Sequence, residues 1–142
     1  MTEHRPQEDQ IFELLQSLNK GIGPKFERCA GISASRLRLL HELFKVDEIS
    51  QISLQKAVDI DAAAITRHIK GLEEDGVITR RNNPADNRVT LVSLTDKGRE
   101  KIVAYRKEKK HFISGLLTDF DELDRIALID LLTRIQHNVG SL

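Results

Sequence analysis

The chain has one cysteine, Cys29, among its 142 residues. An internal disulfide is therefore impossible, which fits a reducing cytoplasm. No long apolar run is present, so no membrane span is expected. The opening MTEHRPQEDQ is polar and has no signal-peptide core, so export is not expected. There is no glycine-rich phosphate loop, no G-x-S-x-G, no H-E-x-x-H and no paired-cysteine motif, and this argues against an enzyme. His41, His68, His111 and His137 are scattered, and none stands at ligand spacing from a cysteine or carboxylate. No metal and no cofactor are expected. An excess of charge is also missing: 22 Lys+Arg balance 22 Asp+Glu. A nucleic-acid binder usually carries a basic excess, so the balance counts against one, unless the bases are gathered locally.

Apolar residues make up 39% of the chain and charged residues 31%, the composition of a soluble globular protein. The length suits one domain, here 1–142, with no internal repeat, low-complexity segment or long linker. From 61 to 95 the pattern is densest in information. Ile65, Ile69 and Leu72 recur at i, i+4, i+7, which predicts a helix over 62–74 with one core-facing stripe. Ala63, Arg67 and Lys70 fall on the other side. A helix that buries one face and offers Arg and Lys on the other suits a major groove. Gly76 breaks it. Val77-Ile78-Thr79 and Val89-Thr90-Leu91-Val92 then have β-branched strand character. Between them RRNNPADNR forms a turn-prone, cationic tip. A helix followed at once by a basic hairpin is the layout of a winged helix-turn-helix DNA reader.

The remaining elements fit around this centre. Ile11, Leu14, Leu15, Leu18, Ile22, Phe26 and Cys29 keep helical phase over 6–29, across GIGP. One helix distorted at Pro24 is expected, with two separate helices as the alternative. As part of this apolar stripe, Cys29 is expected to be buried. Ser33 is placed to cap a helix over 34–45 that buries Leu37, Leu40, Leu43 and Phe44. Ser50 is placed to cap a short third helix with Ile52, Leu54, Ala57 and Val58 as its apolar residues. Asp61 caps the next, completing a helix-turn-helix. Thr95 caps a long basic helix over 96–117 carrying Ile102, Val103, Tyr105, Phe112, Ile113 and Leu116. A last helix reaches about 138. Leu128, Ile129 and Leu131 lie around its circumference, and a helix apolar on several sides wants more burial than one small domain supplies. A second copy of the chain would supply it.

The residues also resemble a known family. TRHIKGLEEDGVITRR, then DNR, then VSLTDKG, is similar to the MarR (multiple-antibiotic-resistance regulator) pattern TR-x-x-x-x-LE-x-x-G-[LV]-[VI]-x-R, D-x-R, LT-x-x-G. Thr66, Arg67, Leu72, Glu73, Gly76, Val77, Ile78, Arg80, Asp86, Arg88, Leu94, Thr95 and Gly98 match it in order and spacing. The resemblance is strongest over roughly 50–100. It implies a mainly α fold with a small β-hairpin wing: a winged helix-turn-helix lobe over 33–98, and dimerisation helices over 6–29 and 99–142. It implies a cytoplasmic homodimer that binds palindromic double-stranded DNA, a repressor answering to a small lipophilic or aromatic effector. The effector pocket would lie between the DNA-binding lobe and the dimer helices, and Leu15, Leu18, Ile22 and His41 are its candidate lining.

Candidate DNA contacts on the reading helix are Ala63, Thr66, Arg67 and Lys70. The run Ala62-Ala63-Ala64 departs from the family in lacking hydrogen-bonding side chains. Alanine permits close approach and contact with thymine methyls. On the wing, Arg80, Arg81, Asn87 and Arg88 are candidates. Arg88 is the best minor-groove probe, because an arginine on a thin tip can enter a narrow A·T-rich groove. Asp86, two residues before it, would fix its angle, as the D-x-R resemblance implies. Ser35, Arg36, Ser50 and Gln55 are candidates for phosphate contact near helix N-termini. Two alternatives stay open: a winged-helix module that binds protein instead of DNA, and a thiol-sensing regulator that uses Cys29.

Overall fold

The computed structural model describes residues 6–142. Six helices and three short strands follow in the order α1 Gln7–Ala30, α2 Ala34–Phe44, β1 Ile49–Ser50, α3 Gln51–Ala57, α4 Ala62–Glu74, β2 Ile78–Asn83, β3 Asp86–Leu94, α5 Asp96–Leu116 and α6 Glu122–Gly140. The strands form one antiparallel sheet in the order β1-β3-β2. Two compact units divide the chain inside α5, one through Lys109 and the other Lys110–Leu142.

The caps explain why the helices begin and end where they do. Ser33, Ser50 and Asp61 each accept a backbone N–H of the first turn of α2, α3 and α4. α1 runs unbroken through Pro24 and stops at Gly31, whose φ of 77° closes an N–H bond back to the Glu27 carbonyl. α4 ends in a Schellman turn. Gly76, at φ 74°, bonds to the Glu73 carbonyl and Val77 to that of Leu72, turning the chain straight into β2. Asp121 and Asp124 form a reciprocal capping box at the start of α6.

The core of the first unit gathers Leu37, Leu39, Leu40 and Leu43 of α2, Leu54 of α3, Ile65, Ile69 and Leu72 of α4, Val92 of β3 and Ile102 of α5. Each fully buried aliphatic side chain contributes about 1.5–3 kcal/mol, so α4 is firmly seated by its three. Some sequence expectations need correcting here. The wing is not a bare hairpin: the two-residue strand β1 pairs Ile49 with Val92 and Ser50 with Leu91. Its strands are longer than their β-branched stretches, because backbone pairing carries on through Arg80, Arg81 and Asn82 and resumes at Asn83 with Asp86, across an irregularity that gives Asn87 and Arg88 no register partner. The loop shrinks to Pro84-Ala85. Neither residue has positive φ, as the usual two-residue hairpin turns require, and the register slips at Asn82/Asn83 instead. Ile52 and Ala57 are exposed on α3. Cys29 is exposed on α1, one residue off the buried line of Phe26 and Ala30.

In the second unit, α6 buries none of its own residues. Leu123 is 77% exposed, Ile129 66% and Leu131 51%, so the apolar circumference read from the sequence is open in the single chain. On α1, Ile11, Phe12, Leu14 and Leu18 are likewise more than half exposed. No described helix is long and apolar enough to cross a membrane.

Candidate nucleic-acid interface

α4 turns Ile65, Ile69 and Leu72 into the core and leaves Ala62, Ala63, Thr66, Arg67 and Lys70 exposed. Neither Arg67 nor Lys70 makes an ion pair among the described residues. Their charge is free for an external anion. The Thr66 hydroxyl donates to its own helix, to the Ala62 carbonyl at 3.1 Å, and its oxygen still faces solvent. The three alanines give the first turn a low profile.

The wing arginines divide into two kinds. Arg80 and Arg81 alternate faces, as strand geometry demands. Each is held by a carboxylate in a two-pronged pair. Arg80 bonds Glu73 at 3.1 and 2.9 Å, tying the wing to the end of α4. Arg81 bonds Glu48 at 2.8 and 2.7 Å, tying it to the segment before β1. Those bonds hold the Glu73 and Glu48 carboxyls below the usual carboxylate range. Glu48 was invisible to local pattern, since 33 positions separate it from Arg81, whereas Glu73 stands only seven positions before Arg80. Arg88 is different. Its side chain is 90% exposed, and it leans on Asp86 through Nε at 3.1 Å. Asp86 also accepts the Arg88 backbone N–H at 3.1 Å, and the two bonds together depress its pKa. The expected D-x-R pairing is present, with the guanidinium left facing outward. Asn87 is exposed beside it. Asn83 closes the tip by accepting the Ala85 N–H at 2.9 Å.

Ser50, Gln51, Ile52 and Gln55 of the β1–α3 corner line one cleft with Arg88, Val89 and Thr90 of β3. The structure thus brings together Ser50, Gln55 and Arg88. The Ser50 oxygen caps α3 and its hydroxyl donates to Ser53 at 2.8 Å, so it has little left to offer a phosphate. Ser35 is half-buried. Arg36 does not project from α2. It is turned onto α4, where its Nε–H donates to His68 Nδ1 at 3.2 Å.

The base of the wing rests on one hydroxyl. Thr95 Oγ1 donates toward the Gly76 and Val77 carbonyls at 2.7 and 3.1 Å and accepts the Gly98 N–H at 3.0 Å. Gly98 packs so close that a Cβ there would strike the Val77 carbonyl oxygen. The L-T-x-x-G string is therefore a joint between wing and α5.

With this geometry, the comparisons with known proteins are decisive. The MarR family profile matches residues 32–90. A helix-turn-helix transcriptional regulator of Bacillus subtilis (strain 168), YdgJ, itself uncharacterised, is 51% identical over 136 residues, covering 96% of this chain and 83% of that protein. The chain belongs to the MarR family. A probable transcriptional regulator from Pseudomonas aeruginosa has the same fold, with a TM-score of 0.78 and 26% identity over 92% of this chain and 99% of that one. A mutant MarR from E. coli, complexed with operator DNA, superposes with a TM-score of 0.75 at 21% identity, covering 92% and 99% of the two chains. The protein is thus a winged helix-turn-helix transcriptional regulator and not an enzyme.

Of the four candidate effector-lining residues, His41 lines a recess, together with Phe26, Ala34, Leu37, Arg38 and Lys109. Its volume is about 120 Å³, well under the roughly 300 Å³ at which small-molecule sites begin. His41 Nδ1 accepts from Arg106 Nε at 3.1 Å, and Arg106 lies over the Phe44 ring at 4.4 Å. Burial, then Arg106, Lys109 and Lys45, pull the His41 pKa down against Glu42. Leu15 is half-buried, and Leu18 and Ile22 are exposed along α1.

Proposed function

We propose that this MarR-family regulator is a repressor that binds a palindromic double-stranded operator as a homodimer and answers to a small effector. The carrying observation is the pair of unneutralised cations, Arg67 and Lys70, on the outer face of a helix whose inner face is locked in the core. Such a helix enters a major groove, and the outward Arg88 of the wing meets the adjacent minor groove. Asp86 aims Arg88 and gives way to phosphate or base. Arg80 and Arg81, already paired, brace the wing. Zero net charge is no obstacle, because binding needs a local basic patch, and Arg67, Lys70 and the outward Arg88 supply one while Arg80 and Arg81 neutralise the nearby Glu73 and Glu48.

The dimer accounts for the open apolar faces. A second copy covers the apolar faces of α1 and α6 that a lone chain leaves wet. For the effector, the small recess at His41 is the starting point. Its apolar floor of Phe26 and Leu37 and its cations Arg38 and Lys109 suit a lipophilic or aromatic compound that enlarges it on binding.

Binding to a palindromic duplex at several salt concentrations tests the reading. The expected result is tight binding whose logarithm falls linearly with the logarithm of salt. Binding that ignores salt and sequence, or no binding, would leave the protein-interaction reading of the winged helix in its place.

A further inference from the structure

α4 is tied to α2 by a contact that spans 32 positions of sequence. The Arg36 Nε–H donates to His68 Nδ1, and the same guanidinium lies over Gly71, about one helical turn further along α4. A Cβ at position 71 would stand 2.6 Å from Arg36 Nη2 and 3.1 Å from its Cζ. The missing side chain at 71 makes the seat, and His68 supplies the acceptor. Both Arg36 and His68 are half-buried. Arginine only donates, so Nδ1 accepts only while it carries no proton. A protonated ring would set N–H against N–H and bring a second positive charge to the guanidinium.

We propose that the Arg36–His68–Gly71 contact is a pH-sensitive latch that positions the recognition helix, so that acidification releases Arg36 and weakens DNA binding. The inference rests on the DNA-binding reading above. The charges that face His68 are Arg36 from α2 and Arg67 beside it on α4. β2, which packs on α4, turns its Arg80 to Glu73 instead. Burial first, then these two cations, hold the His68 pKa below its ordinary value. The neutral, latched ring is therefore fully favoured above an ordinary pKa of about 6.5, and the latch is lost as pH falls through the lower folded value. The carboxylates of Asp86, Glu48 and Glu73 are depressed from a much lower ordinary range and stay ionised through that window. His41 shifts in the same direction, but its partner is Arg106 and not a residue of α4.

The test uses a palindromic duplex selected by the full-length protein from a randomised pool. Affinity is followed from about pH 7.5 to about pH 5.5 at fixed ionic strength. The parent should lose about tenfold or more on acidification. His68→Asn keeps an acceptor near the place of Nδ1 and takes no proton, so its affinity should stay level or tighten as other groups gain charge. Gly71→Ala displaces only the flexible end of Arg36, so it should fold. It should bind about tenfold more weakly near neutrality, with no further loss in acid. A parent that does not weaken, or a His68→Asn variant that repeats the parent's profile, overturns the latch. If no duplex is selected, the DNA-binding reading fails, and NMR titration of His68 in the free protein decides the latch alone. A lower pKa in the parent than in Arg36→Met supports it, and equal values overturn it.

Discussion

Arginines of one wing do unlike things because their neighbours differ. Arg88 and Arg67 both face outward, from different elements, and the proposed docking sends them to different grooves. Arg88→Ala is expected to weaken binding by about 1–3 kcal/mol and to reduce the preference for A·T pairs flanking each half-site. Arg67→Ala should instead alter affinity for the half-site itself. A series of duplexes with substituted flanks and half-sites separates the two effects. If Arg88→Ala treats every flank as the parent does, with an unchanged salt slope, the wing does not touch DNA. The outward cations and the Asp86–Arg88 pair were legible in the sequence, because alternation, helical phase and a two-residue spacing are local signals. Arg36 was not. From α2 alone it reads as a surface cation, and only the fold puts His68 and Gly71 beneath it. Cys29 was misread for a related reason: helical phase shows which apolar residues line up, not which are covered, and the buried residues of α1 are Phe26 and Ala30. Since Cys29 lies on the outer face of α1 and not on α4, Cys29→Ser should leave DNA affinity unchanged in a direct binding assay.

Helices and their caps were the most legible elements, since Ser33, Ser50, Asp61, Gly31 and Gly76 each announce a boundary chemically. Strand β1 was not, because two residues carry no period and the strand exists only through its pairing with β3. The joint between β2 and α5 shows what a motif glycine can do without any unusual φ. Gly98 is needed because the Val77 carbonyl occupies the place of its side chain. Gly98→Ala should therefore push α5 away from the wing and destabilise the chain by about 1–3 kcal/mol, as overpacking does. Urea denaturation measures it. An unchanged midpoint would mean that the joint yields freely.

At the scale of the whole molecule, the open faces of α1 and α6 dominate. Leu123, Ile126, Ile129, Leu131 and Leu132 of α6 are all exposed in one chain, and soluble monomers seldom leave so much contiguous apolar surface wet. Sedimentation equilibrium at sub-micromolar protein should find a dimer, and Leu131→Glu should dissociate or unfold it. A folded monomer of the parent would refute the assignment. A two-fold dimer presents equivalent helices to one side of DNA, so its half-sites should lie about one helical turn, 34–36 Å, apart.

The Thr95 hydroxyl has a further consequence, in the time domain. It grips two carbonyls at the root of the wing and one amide of the first turn of α5, and the Thr95 N–H itself is bonded to the Val77 carbonyl. These bonds cannot break one by one: an excursion that frees the wing root also uncaps the helix. Deuterium should therefore enter the Thr95 and Gly98 amides at rates set by a single opening event. Thr95→Val, which keeps the shape and removes the hydroxyl, should speed exchange at Gly98 while leaving the tip amides at Ala85 and Arg88 as they were.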